Sequence, residues 1–393
     1  MLTSLLTAER VKNYCLLLIC VNCLMIGLSF THTQGLTLSG APFGGDFVEF
    51  YTAGRILNQY GSHRLYDFQL QDDLTHEFLP HLSIPFVTPP YVAILFSPLA
   101  HFPLWLAYLI WMMISVALYL GAITLILRLE PLPRGMTFLV CLGFPPFFML
   151  VLAGGQISAI GCFVFALWLY FMKRRRKLIA GVVLGLLLYK PTLVIFLLPA
   201  LLFGREFRTL VGFAAVSALL IMLSIWMLGP AGLIRYLAIL REFSSLVGLG
   251  YTRTSMYVDL ATFIRQLFHV DIKFLSVLLA LPLTYLIRHS PERAIVPTMV
   301  FNSYAPAYDL ILLVPLLIIA YRFVSPKLLA LLFVVSFFSI PICQLTGIQL
   351  LTPLLVFLAW QSARAPQFAI IQKGVDCGSP TDQRVNVELP RCV

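Results

Sequence analysis

Asp46 and Glu49 lie in Gly45-Asp46-Phe47-Val48-Glu49-Phe50-Tyr51, an acidic and aromatic stretch that is followed by Leu65-Tyr66-Asp67. The chain has 393 residues and only 17 acidic side chains, so carboxylates gathered just after the first apolar run are unlike a plain connector. Asp46 follows two glycines and has two readings: an N-cap for the helix behind it, or a carboxylate available for chemistry. Lys190 stands where the apolar pieces 178–189 and 191–204 meet at Pro191. An ammonium at membrane depth costs roughly 3 kcal/mol unless it is paired. Phosphate is a natural partner for such a point cation; snorkelling to the outer headgroups is the alternative, and a phosphate-bearing lipid satisfies both. Between 229 and 273, Arg235, Arg241, Arg253 and Arg265 alternate with Glu242, Asp259 and Asp271 and with Tyr236, Tyr251 and Tyr257. Guanidinium suits phosphate and an aromatic face suits sugar or prenyl, which singles out Arg253 and Tyr257; a solvated face beside anionic lipid is the other reading. Asp309 follows Asn302-Ser303-Tyr304-Ala305-Pro306-Ala307-Tyr308 and either caps a span or joins the site. His63, His76 and His81 share the first loop, but His and carboxylate residues form no evident ligand cluster, so neither metal nor cofactor is expected.

The elements that position these residues belong to a membrane protein. Hydrophobic residues make up 60% and charged residues 11% of the chain, against roughly 45–50% and about 25% in soluble domains. The 27 Lys and Arg, with a net charge of +10, fall in short clusters between apolar runs. They read as cytoplasmic anchors and not as a nucleic-acid surface. Of eight cysteines, Cys15, Cys20, Cys23, Cys141 and Cys162 lie inside apolar segments, which suggests neither a disulfide framework nor a zinc site.

A helix that crosses the hydrocarbon core needs about 20 apolar residues, and shorter ones persist when buried among neighbours. Apolar runs near 13–30, 104–127, 136–152, 157–172, 209–228, 274–287, 307–322, 328–341 and 348–360 predict spans, with shorter pieces at 91–102, 178–189, 191–204 and 294–301. The expectation is an all-α polytopic membrane protein with roughly ten to thirteen segments in a domain covering 1–360, and a flexible polar tail at 361–393. The first run carries Asn13 and Asn22 and lacks a small-residue cleavage site, so it is read as a permanent helix and not a signal peptide.

All basic clusters fall on the cytoplasmic side if 91–127 makes one net crossing and 178–204 forms a hairpin. Two crossings at 91–127, with a local breach of the charge rule, is the alternative. With one crossing, the loops 31–90 and 229–273, Gly154-Gly155-Gln156, the Lys190-Pro191 apex and Asn302 to Pro306 gather toward the outer side. Phe47, Phe50, Tyr51, Gly54, Leu57 and Asn58 recur at helical spacing and predict an interfacial helix with Asp46 at its positive end. The prolines of Pro85 to Pro103 mark broken helix, either lining a cavity or simply kinked.

These motifs, in order, resemble the polyprenol-phosphate-sugar glycosyltransferases of family 87. They are Gly45-Asp46-Phe47 with Phe50-Tyr51, Leu65-Tyr66-Asp67, Pro89-Pro90-Tyr91 with Phe96 and Pro98-Leu99, Gly155-Gln156-Ile157, and Ala180-Gly181 with Gly185 and Lys190-Pro191. The resemblance spans roughly residues 10–325. It implies a GT-C bundle with interfacial helices in the first outer loop, working at a bacterial inner (plasma) membrane with its site facing the periplasm or exterior. It implies a polyprenyl-phosphate donor, a lipid or glycan acceptor, contact with membrane lipids, and Asp46 as base. On this expectation Lys190 and Arg253 hold the donor phosphate, while Glu49, Tyr51, Tyr91, Gln156, Tyr257 and Asp309 surround the substrates. The chemistry agrees: an acceptor hydroxyl must lose its proton to a carboxylate as it attacks. The lipid phosphate leaves readily if a cation pairs with it. Transfer without a covalent intermediate inverts the anomeric centre. A lipid or sugar transporter is the competing class, although no internal repeat is evident; an assembly scaffold would not need the loop carboxylate.

Overall fold

The computed structural model describes residues 7–30, 44–79, 83–248, 254–321 and 324–364, and within them every regular element is helical. The order is α1 (Ala8–Phe30), α2 (Phe47–Gln59), α3 (Phe68–His76), α4 (Tyr91–Phe96), α5 (Leu104–Leu127), α6 (Arg134–Leu142), α7 (Ser158–Lys173), α8 (Lys177–Gly185), α9 (Leu197–Phe203), α10 (Phe207–Gly248), α11 (Leu260–Phe268), α12 (Lys273–Leu286), α13 (Ile295–Phe301), α14 (Leu313–Ala320), α15 (Pro326–Thr346) and α16 (Leu351–Arg364). Among the described residues four helices are long and apolar enough to cross a membrane: Ala8–Leu28, Leu104–Leu127, Phe207–Phe243 and Pro326–Thr346. Shorter apolar helices fill the space between them. The protein is therefore an all-α polytopic membrane protein. Cys20 and Cys23 have C-x-x-C spacing, but both are exposed free thiols on α1.

The two open questions of topology are answered by helix length and by one ion pair. Region 91–127 contains one full-length helix, α5, preceded by the six residues of α4. Six residues rise about 9 Å, far short of the roughly 30 Å core, so this region holds one helix long enough to cross and fits the single-crossing reading. Region 178–204 is a hairpin, because Lys177 at its start and Glu206 at its end form an ion pair at 2.8 Å. The strand of chain between them rises through α8 and a 3₁₀ turn, Leu186–Tyr189, reverses at Lys190, and returns through Pro191–Val194 and α9.

Breaks in these short helices leave carbonyls without intrahelical partners, which lipid cannot solvate. Neighbouring side chains satisfy them. Tyr119 on α5 donates to the Cys141 carbonyl at 2.8 Å and Tyr108 to that of Leu152, on either side of the break between α6 and the π-helical turn Phe147–Leu152. At the hairpin apex, Tyr91 donates to the Leu188 carbonyl at 2.7 Å and Asn302 to that of Thr192 at 3.2 Å.

The stretch 229–273, expected as a loop, is largely helical. α10 continues past a kink at Gly229, whose φ is 60°, and Pro230. The first loop supports it on both sides of the kink: Ser62 donates to the Met227 carbonyl before it, and beyond it the Tyr66 and Tyr236 rings stand 4.4 Å apart. Arg253 lies outside the described residues, as do His81 and residues 365–393 of the tail; α16 runs to Arg364.

Candidate active site

The site is assembled around one turn, Gly154 to Ser158, that links the π-helical turn to α7. Gly155 has φ of 70°, and a Cβ placed on it would meet the Gly44 carbonyl oxygen at 2.2 Å and Phe47 Cβ at 2.6 Å. Only glycine permits so close an approach in that conformation. The Asp46 amide donates to the Gly154 carbonyl at 3.0 Å, so the start of α2 lies backbone to backbone on this turn. Asp46 occupies the N-cap position of α2 without a side-chain capping bond. Its carboxylate instead accepts a hydrogen bond from the buried amide of Gln156. By contrast Asp67 and Asp259 do cap their helices, accepting from Leu70 N at 3.4 Å and Thr262 N at 2.7 Å.

Two residues beyond Gln156, the Ser158 hydroxyl donates to Asp309 Oδ1 at 2.7 Å. The other oxygen of Asp309 receives the Lys190 ammonium. The pair is enclosed, with side-chain exposures of 14% for Lys190 and 2% for Asp309. Lys190 Nζ also lies over the rings of Tyr304 and Tyr308, 5.2 Å and 4.7 Å from their centroids. Pairing removes the cost of an isolated ammonium at this depth. It also rules out the headgroup-snorkelling geometry for this side chain.

Glu49, one turn along α2, is close enough to Asp46 and Lys190 to feel both charges, and the charges of Asp46 and Glu49 extend to Tyr304. Tyr257 completes this side: its ring lies 5.2 Å from Tyr304, and the neighbouring Val258 amide bonds the Ala305 carbonyl at 2.8 Å. Asp46, Glu49, Gln156, Lys190, Tyr257 and Asp309 thus come together. Tyr51 and Tyr91 do not present their hydroxyls there. Tyr51 donates to the Phe102 carbonyl at 2.8 Å and Tyr91 holds the hairpin apex. Asp67 is bound by Arg64 at 2.7 Å, which together with the Leu70 amide draws its carboxyl below the usual range; it braces the loop.

Ser158, Tyr304 and Tyr308 were not singled out from sequence. Ser158 reads as an ordinary small residue near a helix start, and the two tyrosines read as part of a polar turn. Helical spacing would not have found the pair, because Tyr304 lies in irregular backbone before the 3₁₀ turn Ala307–Leu312 that carries Tyr308. Among the described residues no three His, Cys, Asp or Glu side chains converge as metal ligands.

The Glu49 carboxyl is pushed well above its ordinary value of 4.5, first by burial and then by the Asp46 charge, against the opposing pull of Lys190. A folded-state acid raised in this way ionises first in the unfolded chain. Its stabilising contribution is full below pH 4.5 and is lost as pH rises through the folded value. Wild-type protein in nanodiscs should therefore lose melting temperature from pH 4.5 toward neutrality by more than Glu49→Gln does. Parallel curves for the two proteins would show that Glu49 is not strained by its neighbours.

The model of glycosyltransferase family 87 matches residues 86–340. No curated protein and no solved structure matches the chain. The match begins at Phe86, so α2 with Asp46 and Glu49 precedes it, whereas the Gly154 to Ser158 turn, the Lys190 hairpin and the turn carrying Asp309 all lie within it. With a family match over well more than half of its length, carried on a helical membrane bundle, the chain belongs to glycosyltransferase family 87 and is a membrane glycosyltransferase.

Proposed function

We propose that the protein moves a hexose, such as mannose, from a polyprenyl-phosphate carrier to a lipid or glycan acceptor on the outer face of the membrane. Asp46 takes the acceptor proton as the hydroxyl attacks the anomeric carbon, the carrier phosphate leaves, and configuration inverts. The observation that carries this reading is the state of Asp46. Its carboxylate makes no capping bond to α2 and accepts from Gln156, in the neighbourhood of the Lys190 ammonium that would pair with the leaving phosphate. Gln156 fixes the carboxylate direction, and α7 points its positive end toward both Asp46 and Asp309, favouring negative charge there.

Purified protein in nanodiscs, given an acceptor extract, should transfer hexose from polyprenyl-phosphate hexose and not from the corresponding nucleotide sugar. The product linkage should have the opposite anomeric configuration to the donor, read by NMR. Transfer from the nucleotide sugar alone would overturn the donor assignment, and retention would overturn the single-base mechanism.

A further inference from the structure

Lys190 has three N–H groups and little free space around them. Asp309 takes the ammonium directly, and the faces of Tyr304 and Tyr308 cover two flanks at 5.2 Å and 4.7 Å. The side chain is 14% exposed. A phosphate that approaches this ammonium has no vacant flank of comparable quality; it needs the direction that the Asp309 carboxylate now fills. Charge points the same way. Asp46 and Asp309 set two carboxylates against one ammonium in this group of side chains, so an anion added to the intact pair meets net repulsion, and one that exchanges with Asp309 regains a charged hydrogen bond.

We propose that Asp309 holds the place of the donor phosphate in the empty site, and that donor binding exchanges the Lys190–Asp309 pair for a Lys190–phosphate pair. This rests on the reading of the donor as a phosphate-bearing lipid. Ser158 is the second holder that makes the exchange reversible: its hydroxyl retains Asp309 Oδ1 at 2.7 Å when the ammonium moves to the ligand. Asp309 is then a resident competitor. It keeps a buried cation neutral between turnovers, and it lowers donor affinity in doing so. No bond is made or broken in the exchange, and sugar transfer begins only after it.

The sign of one substitution separates this from the ordinary role of a carboxylate that orients a lysine. Asp309→Asn keeps the shape and the Ser158 contact but removes the competing charge. Binding of decaprenyl monophosphate to nanodisc protein should tighten by roughly tenfold to a hundredfold, the range of a charged hydrogen bond. The same ligand should raise the melting temperature of D309N by more than it raises that of wild type. The K190M/D309N double variant has neither charge and should lose the affinity. If D309N does not accumulate alone, decaprenyl monophosphate present during expression and purification is expected to rescue it, and phosphate-free decaprenol is not.

Wild-type binding that depends on Lys190, together with equal or weaker binding by D309N, overturns the exchange and leaves the donor assignment standing. So does a D309N protein that is not rescued by the phosphate. Wild-type protein that does not bind decaprenyl monophosphate removes the donor assignment itself, and the exchange with it.

Discussion

Asp46→Asn is expected to lower the transfer rate by about 10²- to 10⁴-fold, the usual contribution of a positioned general base, with the fold and donor binding retained. Asparagine keeps an oxygen that can accept the Gln156 hydrogen bond, so α2 should stay docked on the Gly154 to Ser158 turn. What disappears is the capacity to take a proton. The loss should therefore sit in kcat and not in the donor KM. Transfer at the wild-type rate by folded D46N protein would falsify the base assignment, and a loss confined to KM would place Asp46 in binding. The substitution is informative because Asp46 occupies the N-cap position of α2 and its side chain makes no capping bond there.

Gly155→Ala should cost about 10²-fold in rate with only a modest loss of melting temperature. The residue sits at φ 70°, where a side chain is disfavoured by roughly 1–2 kcal/mol, and its new methyl group would collide with the Gly44 carbonyl at 2.2 Å and Phe47 at 2.6 Å. Both contacts are backbone or core atoms that cannot swing aside. The turn must therefore back away from α2, and a displacement near 1 Å between catalytic groups is enough for a loss of this size. Gly27→Ala is the matched control, since nothing lies within 4 Å of that position on α1. Equal activity in the two alanine variants would mean that the backbone contact does not set the distance between Asp46 and its partners.

The membrane class and most helices were legible because apolar runs have an unmistakable length, and α5 and α7 fall within a residue or two of the runs that predicted them. The helical conformation of α2 was legible from its spacing of aromatic and small residues. What sequence could not supply was pairing. Lys190 and Asp309 lie 119 residues apart, and no local pattern announces that the cation expected to meet phosphate already holds a carboxylate. Tyr51 and Tyr91 look alike as substrate-contact candidates, yet each hydroxyl is spent on a backbone carbonyl of the bundle. The continuation of α10 beyond Gly229 was hidden for a related reason: Gly-Pro reads as a stop, but here it redirects a helix whose far half lies against His63 and Tyr66.

The hairpin that carries Lys190 also sets a depth. From Lys177 its rising limb is nine residues of α-helix and four of 3₁₀ helix, about 22 Å in all, above a base closed by the Lys177–Glu206 pair. The hydrocarbon core is roughly 30 Å thick. A limb of that length is shorter than the core, so the hairpin turns back before it could span a bilayer. Under the proposed function, a carrier would have to bring its phosphate into the protein, as far as the enclosed Lys190, to be read.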